Sequence, residues 1–344
     1  MPAVPKLPPV LQSAGALLKR LTTVRPQEAK LTVGLDVGSS SVKVVALGPR
    51  KGAGPRTLLG HQVVPLAPGQ ETDASEAIKT AVSALHLPIR AVNLSVSGQW
   101  VIMRIVEMPA MKPSEIRQAL PFEAQRYLPF NIQDVVIDGA VLGSADAKKM
   151  WVLVVACKKE LIERRLDWTK RGGFDTALID VDALALANGF LAGNGHHGEG
   201  TRALINVGAQ LTNLVIFRGE TPYLVRDIPW GADKLIRNVA EQLGEEPPAV
   251  GAALLQGAVS PEMKSAVKLA VESLVTELQL SFDYFENRFG QPPEELFVSG
   301  GLGQSAAFLE GLKGHLTQAL TVWEPVRGLS GQFAVAYGLA LRTE

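Results

Sequence analysis

Apolar residues at Val33, Leu35 and Val37, and again at Val42, Val44 and Val45, bracket a Gly-Ser turn and predict two buried strands. A third strand is expected before residue 67. Ala77, Ile78, Ala81, Val82 and Leu85 then recur at helical spacing, so residues 72–87 predict a helix. Two alternating stretches, RAVNLSVSG and VIMRIVEMP, predict strands. KPSEIRQALPFEAQRYLPF predicts a helix interrupted or restarted at Pro121 and finished before Pro129, because proline lacks the amide donor that a helix interior needs. VVIDGAVLG and MWVLVVACK are two further strands. Residues 161–171 form an amphipathic pattern that Gly172 and Gly173 terminate.

The pattern then starts again. RALINVG, LTNLVIFRG and PYLVRDIPW predict three strands, and helices are expected over 233–243 and 261–288. The strand ELFVSGG, a helix, the strand TVWEPV and the helix QFAVAYGLALR follow. Strands in runs, with helices returning between them, predict α/β lobes with mixed sheets rather than an all-β or bundle fold. The chain has 344 residues, 47% of them hydrophobic, which exceeds one ordinary domain and favours two lobes around a cleft.

Composition narrows the function classes. Lys plus Arg and Asp plus Glu both total 34, so no global field recruits nucleic acid or an anionic membrane. The single Cys157 cannot form an internal disulfide; it reads as a small residue on a buried strand in a reducing compartment. No apolar run reaches the roughly 18 residues of a membrane span. Residues 1–30 read as a flexible proline-rich arm with a short helix near 11–21; Lys6, Lys19, Arg20, Arg25 and Lys30 face only Glu28, and no secretory h-region is present. A cytoplasmic protein is expected.

LDVGSSSVKVVAL has an echo in INVGAQLTNLVIF. At one constant offset Asp36 falls on Asn206, Gly38 on Gly208, Val42 on Thr212 and Val44 on Leu214. Gly38 permits close backbone approach, and the amides and hydroxyls of Ser39, Ser40 and Ser41 can donate to phosphate oxygens. Asp36 can hold the water shell of a Mg²⁺ ion. A Gly-Ser hairpin with a capping Asp is the bland alternative. A third element, LFVSGGLGQSAAFLEGL, ends a strand in Gly300 and Gly301 and lets a base or ribose lie on bare backbone. No G-x-x-x-x-G-K-[ST] occurs, so a P-loop site is excluded, and no strand is followed by G-x-G-x-x-G, so a Rossmann site has no support. His196 and His197 sit in a Gly-rich loop with no further marked ligands.

These elements resemble the actin-like ATPase superfamily, which implies an α/β, actin-like (ribonuclease H-like) two-lobed fold with ATP and Mg²⁺ as cofactors. GLDVGSSSVKVV resembles its first phosphate loop, INVGAQLTNLVIF its second and LFVSGGLG its adenosine loop; IDVDALALANG and GQFAVAYGLAL resemble the connecting helices. The resemblance implies nucleotide contacts from Asp36, Gly38, Ser39, Ser40, Ser41 and Lys43. It implies others from Asn206, Gly208, Ala209, Gln210 and Thr212, and from Gly300, Gly301 and Gly303. Asp36 would hold Mg²⁺ through water.

MPAMKPSEIRQALPFEAQRYLPFNIQDVVIDGAVLG resembles the signature of the PilM family of type IV pilus assembly, lying in a subdomain of the kind that FtsA also inserts. The resemblance divides the chain into a basic arm (1–30), the first lobe (31–89), an inserted partner-binding subdomain (90–174) and the first lobe's completion with its connecting helix (175–200). A second lobe (201–330) with a reduced helical subdomain (232–292) and a C-terminal connecting helix (331–344) follow. It implies binding of the cytoplasmic N-terminal peptide of a PilN-like inner-membrane protein between the first lobe and the insert. Contact with pilus motor or platform proteins, membrane association only through the partner, and assembly into a homo-oligomer or ring are further implications. YLPFNI breaks its helix and places Tyr127, Leu128, Phe130 and Ile132 close together, as peptide grooves require. The resemblance of FEAQRYLPF to the family signature adds Phe122, Arg126 and Pro129 to the candidate partner residues.

The sequence departs from the superfamily pattern at Asn206, where active members carry Asp, and over EEPPAVGAALLQGAVSPEMK, where they carry ribose-contacting Glu and Lys. ATP binding with weak or no hydrolysis is expected. The alternatives are a sugar-kinase-type phosphotransferase, with Asp180 or Asp182 as base, and an FtsA-like cell-division protein. The chain stops at GLALRTE without the linker and amphipathic helix expected of FtsA.

Overall fold

The computed structural model describes residues 31–50, 56–67, 72–193 and 200–343. The 1–30 arm with its expected helix, and His196 and His197, lie outside the described residues.

β1 (Thr32–Val37) and β2 (Ser41–Arg50) form an antiparallel hairpin that β3 (Arg56–Pro65) extends. The helix α1 (Ser75–Ser83) carries the chain to β4 (Ala91–Val96), which pairs with β1 in parallel. The chain then leaves the lobe. β5 (Val101–Pro109), α2 (Pro113–Gln125), β6 (Val135–Ser144) and β7 (Lys149–Lys158) build a separate three-stranded sheet in the order β5-β7-β6. Side chains alternate across it. Val152 and Val154 pack with Ile116 and Leu120 of α2, whereas Leu153 and Cys157 face the lobes. Cys157 is free and buried, and burial pushes its thiol up to about 11.

α3 (Lys159–Arg171) returns the chain to the first lobe, where it packs on α1, and β8 (Asp175–Val181) completes the order β3-β2-β1-β4-β8. The inserted sheet therefore runs from Val101 to Lys158, inside the expected 90–174 span, with β4 and α3 packed in the lobe on either side. The connecting helix α4 (Asp182–Gly193) crosses to the second lobe.

The second lobe repeats the plan. β9 (Thr201–Val207), β10 (Thr212–Arg218) and β11 (Thr221–Ile228) are an antiparallel meander, and β12 (Glu295–Gly300) and β13 (Ala319–Val322) add in parallel. The order, β11-β10-β9-β12-β13, matches the first sheet position for position. Parallel additions require crossovers, and these supply the covering helices. They are α5 (Ala232–Leu243), α6 (Pro247–Gln256), α7 (Pro261–Ala270), α8 (Glu272–Phe289) and α9 (Ala306–Lys313). Leu235, Val267, Leu278, Phe285 and Phe308 seal one face of the sheet.

α10 (Ala334–Leu341) is buried at every position, as a helix that is apolar all round must be. It packs back to back with α4, and a Cβ at Gly338 would fall on the carbonyl of Ala185. Two differences from the expected elements have local causes. α2 runs through Pro121 without interruption; Arg117, four residues earlier, is exposed, so water can take the carbonyl that Pro121 leaves unbonded. The single helix expected over 261–288 is two, parted at Val271, and α6 forms in the proline-rich stretch before them with its prolines in the first turn.

Candidate functional site

The carboxyl ends of β1, β4 and β8 converge. Asp36, near the end of β1 and only 8% exposed, faces Lys43 across the hairpin, with Oδ2 and Nζ 3.1 Å apart. Asp182 opens α4 and lies close enough to both Asp36 and Asp227 to feel their charges. Burial first, then Asp36, pushes its carboxyl up to about 6; the hydroxyls of Ser95 and Ser97 alongside pull the other way. Arg165 reaches this cluster from α3 and stands 5.0 Å over the Trp168 ring. Its Nε is buried and has no hydrogen-bond partner among the described residues. Burial lowers the Arg165 pKa, and Asp182 and Asp36 oppose that shift.

Both Gly-containing turns close in the same way. Gly38 N donates to Ser41 O at 3.1 Å, and Gly208 N donates to Leu211 O at 2.9 Å. The turn serines differ in access: Ser39 and Ser40 are exposed and Ser41 half-buried. In the second turn Gly208 and Ala209 give their carbonyls to the amides of Ala232 and Asp233, at 2.9 and 2.8 Å. The first amides of α5 are thus taken by the turn itself. Gln210 is exposed, whereas Thr212 is fully buried and donates to Trp230 O at 2.8 Å.

Asn206 is held in a polar chain. Its Oδ1 accepts from Ser299 Oγ at 3.3 Å, and its Nδ2 donates to Asn213 Oδ1 at 3.1 Å. Asn213 Nδ2 donates to Asp227 Oδ1 at 2.8 Å, and Asp227 Oδ2 accepts the Gly98 amide, also at 2.8 Å. This chain ties the second lobe to the turn after β4 in the first. Gly300, with φ of +90°, lies so close to β9 that a Cβ would strike the backbone of Val207. A Cβ at Gly301 would meet nothing within 4 Å, and one at Gly303 would lie 3.6 Å from the Val298 carbonyl.

The candidate partner residues cluster on and beyond α2. Phe122 is 76% exposed and Tyr127 38% exposed. Tyr127 and Arg126 both bind Glu123, at 3.1 and 3.2 Å. Leu128 packs into the core under α2, Pro129 is exposed, and Ile132 opens a single 3-10 turn that the Asn131 side chain caps. Phe130 stacks on Trp100 with centroids 6.0 Å apart, and Lys158 Nζ lies 3.7 Å from the Trp100 ring and 4.6 Å from that of Phe130.

A groove of about 470 Å³ opens on the other face of the inserted sheet, between it and the first lobe. Val136, Leu153 and Val155 line one wall and Val96, Ile179 and Leu184 the other. Asp138, Asp180 and Arg342 supply its charge, with Asp180 Oδ2 and Arg342 Nη1 3.0 Å apart. Burial raises the Asp180 pKa, and Arg342 offsets part of that rise. The sheet separates this groove from α2.

Arg165, Ser95, Ser97 and Asp227 carry no motif. Parallel crossovers and cross-strand register bring them to the site, and neither is visible in a local window. Among the described residues no group of three or more His, Cys, Asp or Glu side chains could hold a metal ion, and no helix is long and apolar enough to cross a membrane.

A solved PilM-PilN type IV pilus biogenesis complex is similar with a TM-score of 0.80 and 25% identity, over 92% of this chain and 99% of that one. The ethanolamine utilization protein EutJ from Carboxydothermus hydrogenoformans shares the fold at a TM-score of 0.57 and 12% identity, over 97% of this chain and 98% of that one. The fold is the actin-like, two-lobed α/β fold. The family described as type IV pilus assembly protein PilM matches residues 34–344, so the chain belongs to the PilM family.

Proposed function

We propose that this chain is a cytoplasmic scaffold of type IV pilus assembly that binds the N-terminal peptide of a PilN-like inner-membrane protein. The observation that carries the reading is the groove between the inserted sheet and the first lobe, apolar on both walls and charged through Asp138, Asp180 and Arg342. Such grooves suit a short segment whose apolar side chains anchor it and whose polar groups set its register. The similarity to a solved PilM-PilN complex supports the same partner. A second surface has an observation of its own: Phe122 and Tyr127 are exposed together at the end of α2.

Calorimetry with the cytoplasmic N-terminal peptide of PilN separates the two. Val136→Glu puts a charge on the groove wall at a side chain that is already 48% exposed. The groove reading expects a loss of about tenfold or more, ~1.4 kcal/mol, with Tyr127→Ala and Phe130→Ala close to the parent. The reverse pattern in folded variants assigns the peptide to the α2 surface.

The inter-lobe cluster supports nucleotide binding with little turnover. Lys43 and the amides of the first turn would hold phosphate oxygens, and Asp36 would hold a hydrated Mg²⁺ ion, which neutralises phosphate charge when bound. The orphaned Nε of Arg165 is a donor of the right kind within the same cluster. The second turn fits less well, because Asn206 is neutral and its amide is engaged with Asn213.

A further inference from the structure

A second cleft, of about 590 Å³, lies between the inserted sheet and the second lobe, apart from the groove of the proposed partner peptide. Residues 101–105 of β5 and 223–227 of β11 line it consecutively. A strand that showed the cleft one face would contribute every second residue. Unbroken runs mean that strand edges, with their backbone groups, form the walls. β5 pairs only with β7 and β11 only with β10 among the described residues, so each of these strands keeps one edge without a ladder partner. An open edge is a template for another strand.

The side chains around the edges give the cleft a sign. Arg104, Arg226 and Arg288 line it, and Asp227 is the one acid there among the described lining residues. Asp227 already accepts from Gly98 and Asn213 through its two oxygens. Arg226 is paired with Glu277 at 2.6 Å, and Arg288 donates to Tyr284 OH at 2.9 Å. Arg104 is exposed and makes no ion pair among the described residues. Leu280 and Tyr284 of α8, 56% and 50% exposed, add an apolar shelf beside the arginines.

We propose that this cleft receives an extended acidic segment of a partner protein, which adds as a strand to the open edge of β5 and sets carboxylates against the arginines. The chain's own arm is a poor occupant: residues 1–30 carry five Lys and Arg against one Glu. A second copy related by symmetry would set arginines against arginines. The proposal does not depend on the PilN reading, which concerns a different groove.

The test uses the full chain and three fluorescent decapeptides: alternating valine and glutamate, alternating valine and lysine, and the first peptide N-methylated at every second residue. The valine–glutamate peptide is expected to bind about tenfold more tightly than either comparator. It should also slow amide exchange at residues 101–105. Arg104→Glu, a change at an exposed position whose melting temperature serves as the folding control, should weaken it about fivefold or more. Failure of the valine–glutamate peptide to bind, or equal binding of the N-methylated peptide, overturns strand addition. Concentration-dependent protection of β5 without peptide would assign the cleft to a second copy. Protection lost on removing residues 1–30 would assign it to the arm. Either result overturns the proposal.

Discussion

Asn206 and Asn213 face each other across the second hairpin at 3.1 Å, where Asp36 and Lys43 face each other across the first, also at 3.1 Å. The lobes thus keep one backbone plan and one cross-strand contact while differing in charge: an ion pair on one side, two amides on the other. A phosphate cluster needs charge where the metal sits, and the second lobe has none at this pair.

The first prediction concerns that exchange. In Asn206→Asp an acceptor replaces the Nδ2 donor and faces Asn213 Oδ1, while Asn213 Nδ2 remains committed to Asp227. The variant should lose about 1–2 kcal/mol of stability in urea. It should also release phosphate from ATP about tenfold faster than the parent when Mg²⁺ is present, ~1.4 kcal/mol in the barrier. Lost stability with no gain in release would show that Asn206 is structural only.

Asp182 gives a pH signature. Its folded carboxyl stands at about 6, above the ordinary carboxylate range, so it favours folding only while protonated; that contribution is full at low pH and lost as pH rises through about 6. Asp182→Asn should therefore be more stable than the parent at pH 7.5, by about 1–3 kcal/mol. The advantage should shrink as pH falls from about 6 toward 4. Melting temperatures of both proteins across this window check it. A difference independent of pH would mean that Asp182 is not held protonated by its surroundings.

Two glycines should separate packing from binding. Gly338→Ala drives a methyl into the Ala185 carbonyl and should cost about 2–3 kcal/mol or more, because neither helix can yield without breaking core contacts. Gly301→Ala meets no neighbour and should stay within ~0.5 kcal/mol of the parent. If the Gly301 backbone faces a nucleotide, the same variant should weaken ATP binding in a fluorescence titration. Unchanged affinity would remove this glycine from the site.

The hairpin pair was legible in the sequence because its cause is local. Asp36, Gly38, Asn206 and Gly208 lie within two short windows, and each turn closes by a bond from a glycine to a residue three positions on. Asp182 could be named as an acid, but its approach to Asp36 depends on β8 lying two strands from β1. Arg165 and Asp227 left no local trace, since one arrives from a covering helix and the other through strand register. At Pro121 a local rule predicted an interruption that an exposed helix face made unnecessary. The two candidate partner surfaces were least legible: apolar residues of YLPFNI and of the groove walls look alike in sequence, and only the sheet between them tells them apart.

The most direct test of the account is a thermal melt of the full chain with ATP, with and without Mg²⁺, followed by phosphate release on the same sample. With ATP at about a hundred times its dissociation constant, the account predicts a Mg²⁺-dependent gain of roughly 2.7 kcal/mol and negligible phosphate release. No shift with ATP, or rapid release from the unmodified protein, would contradict it.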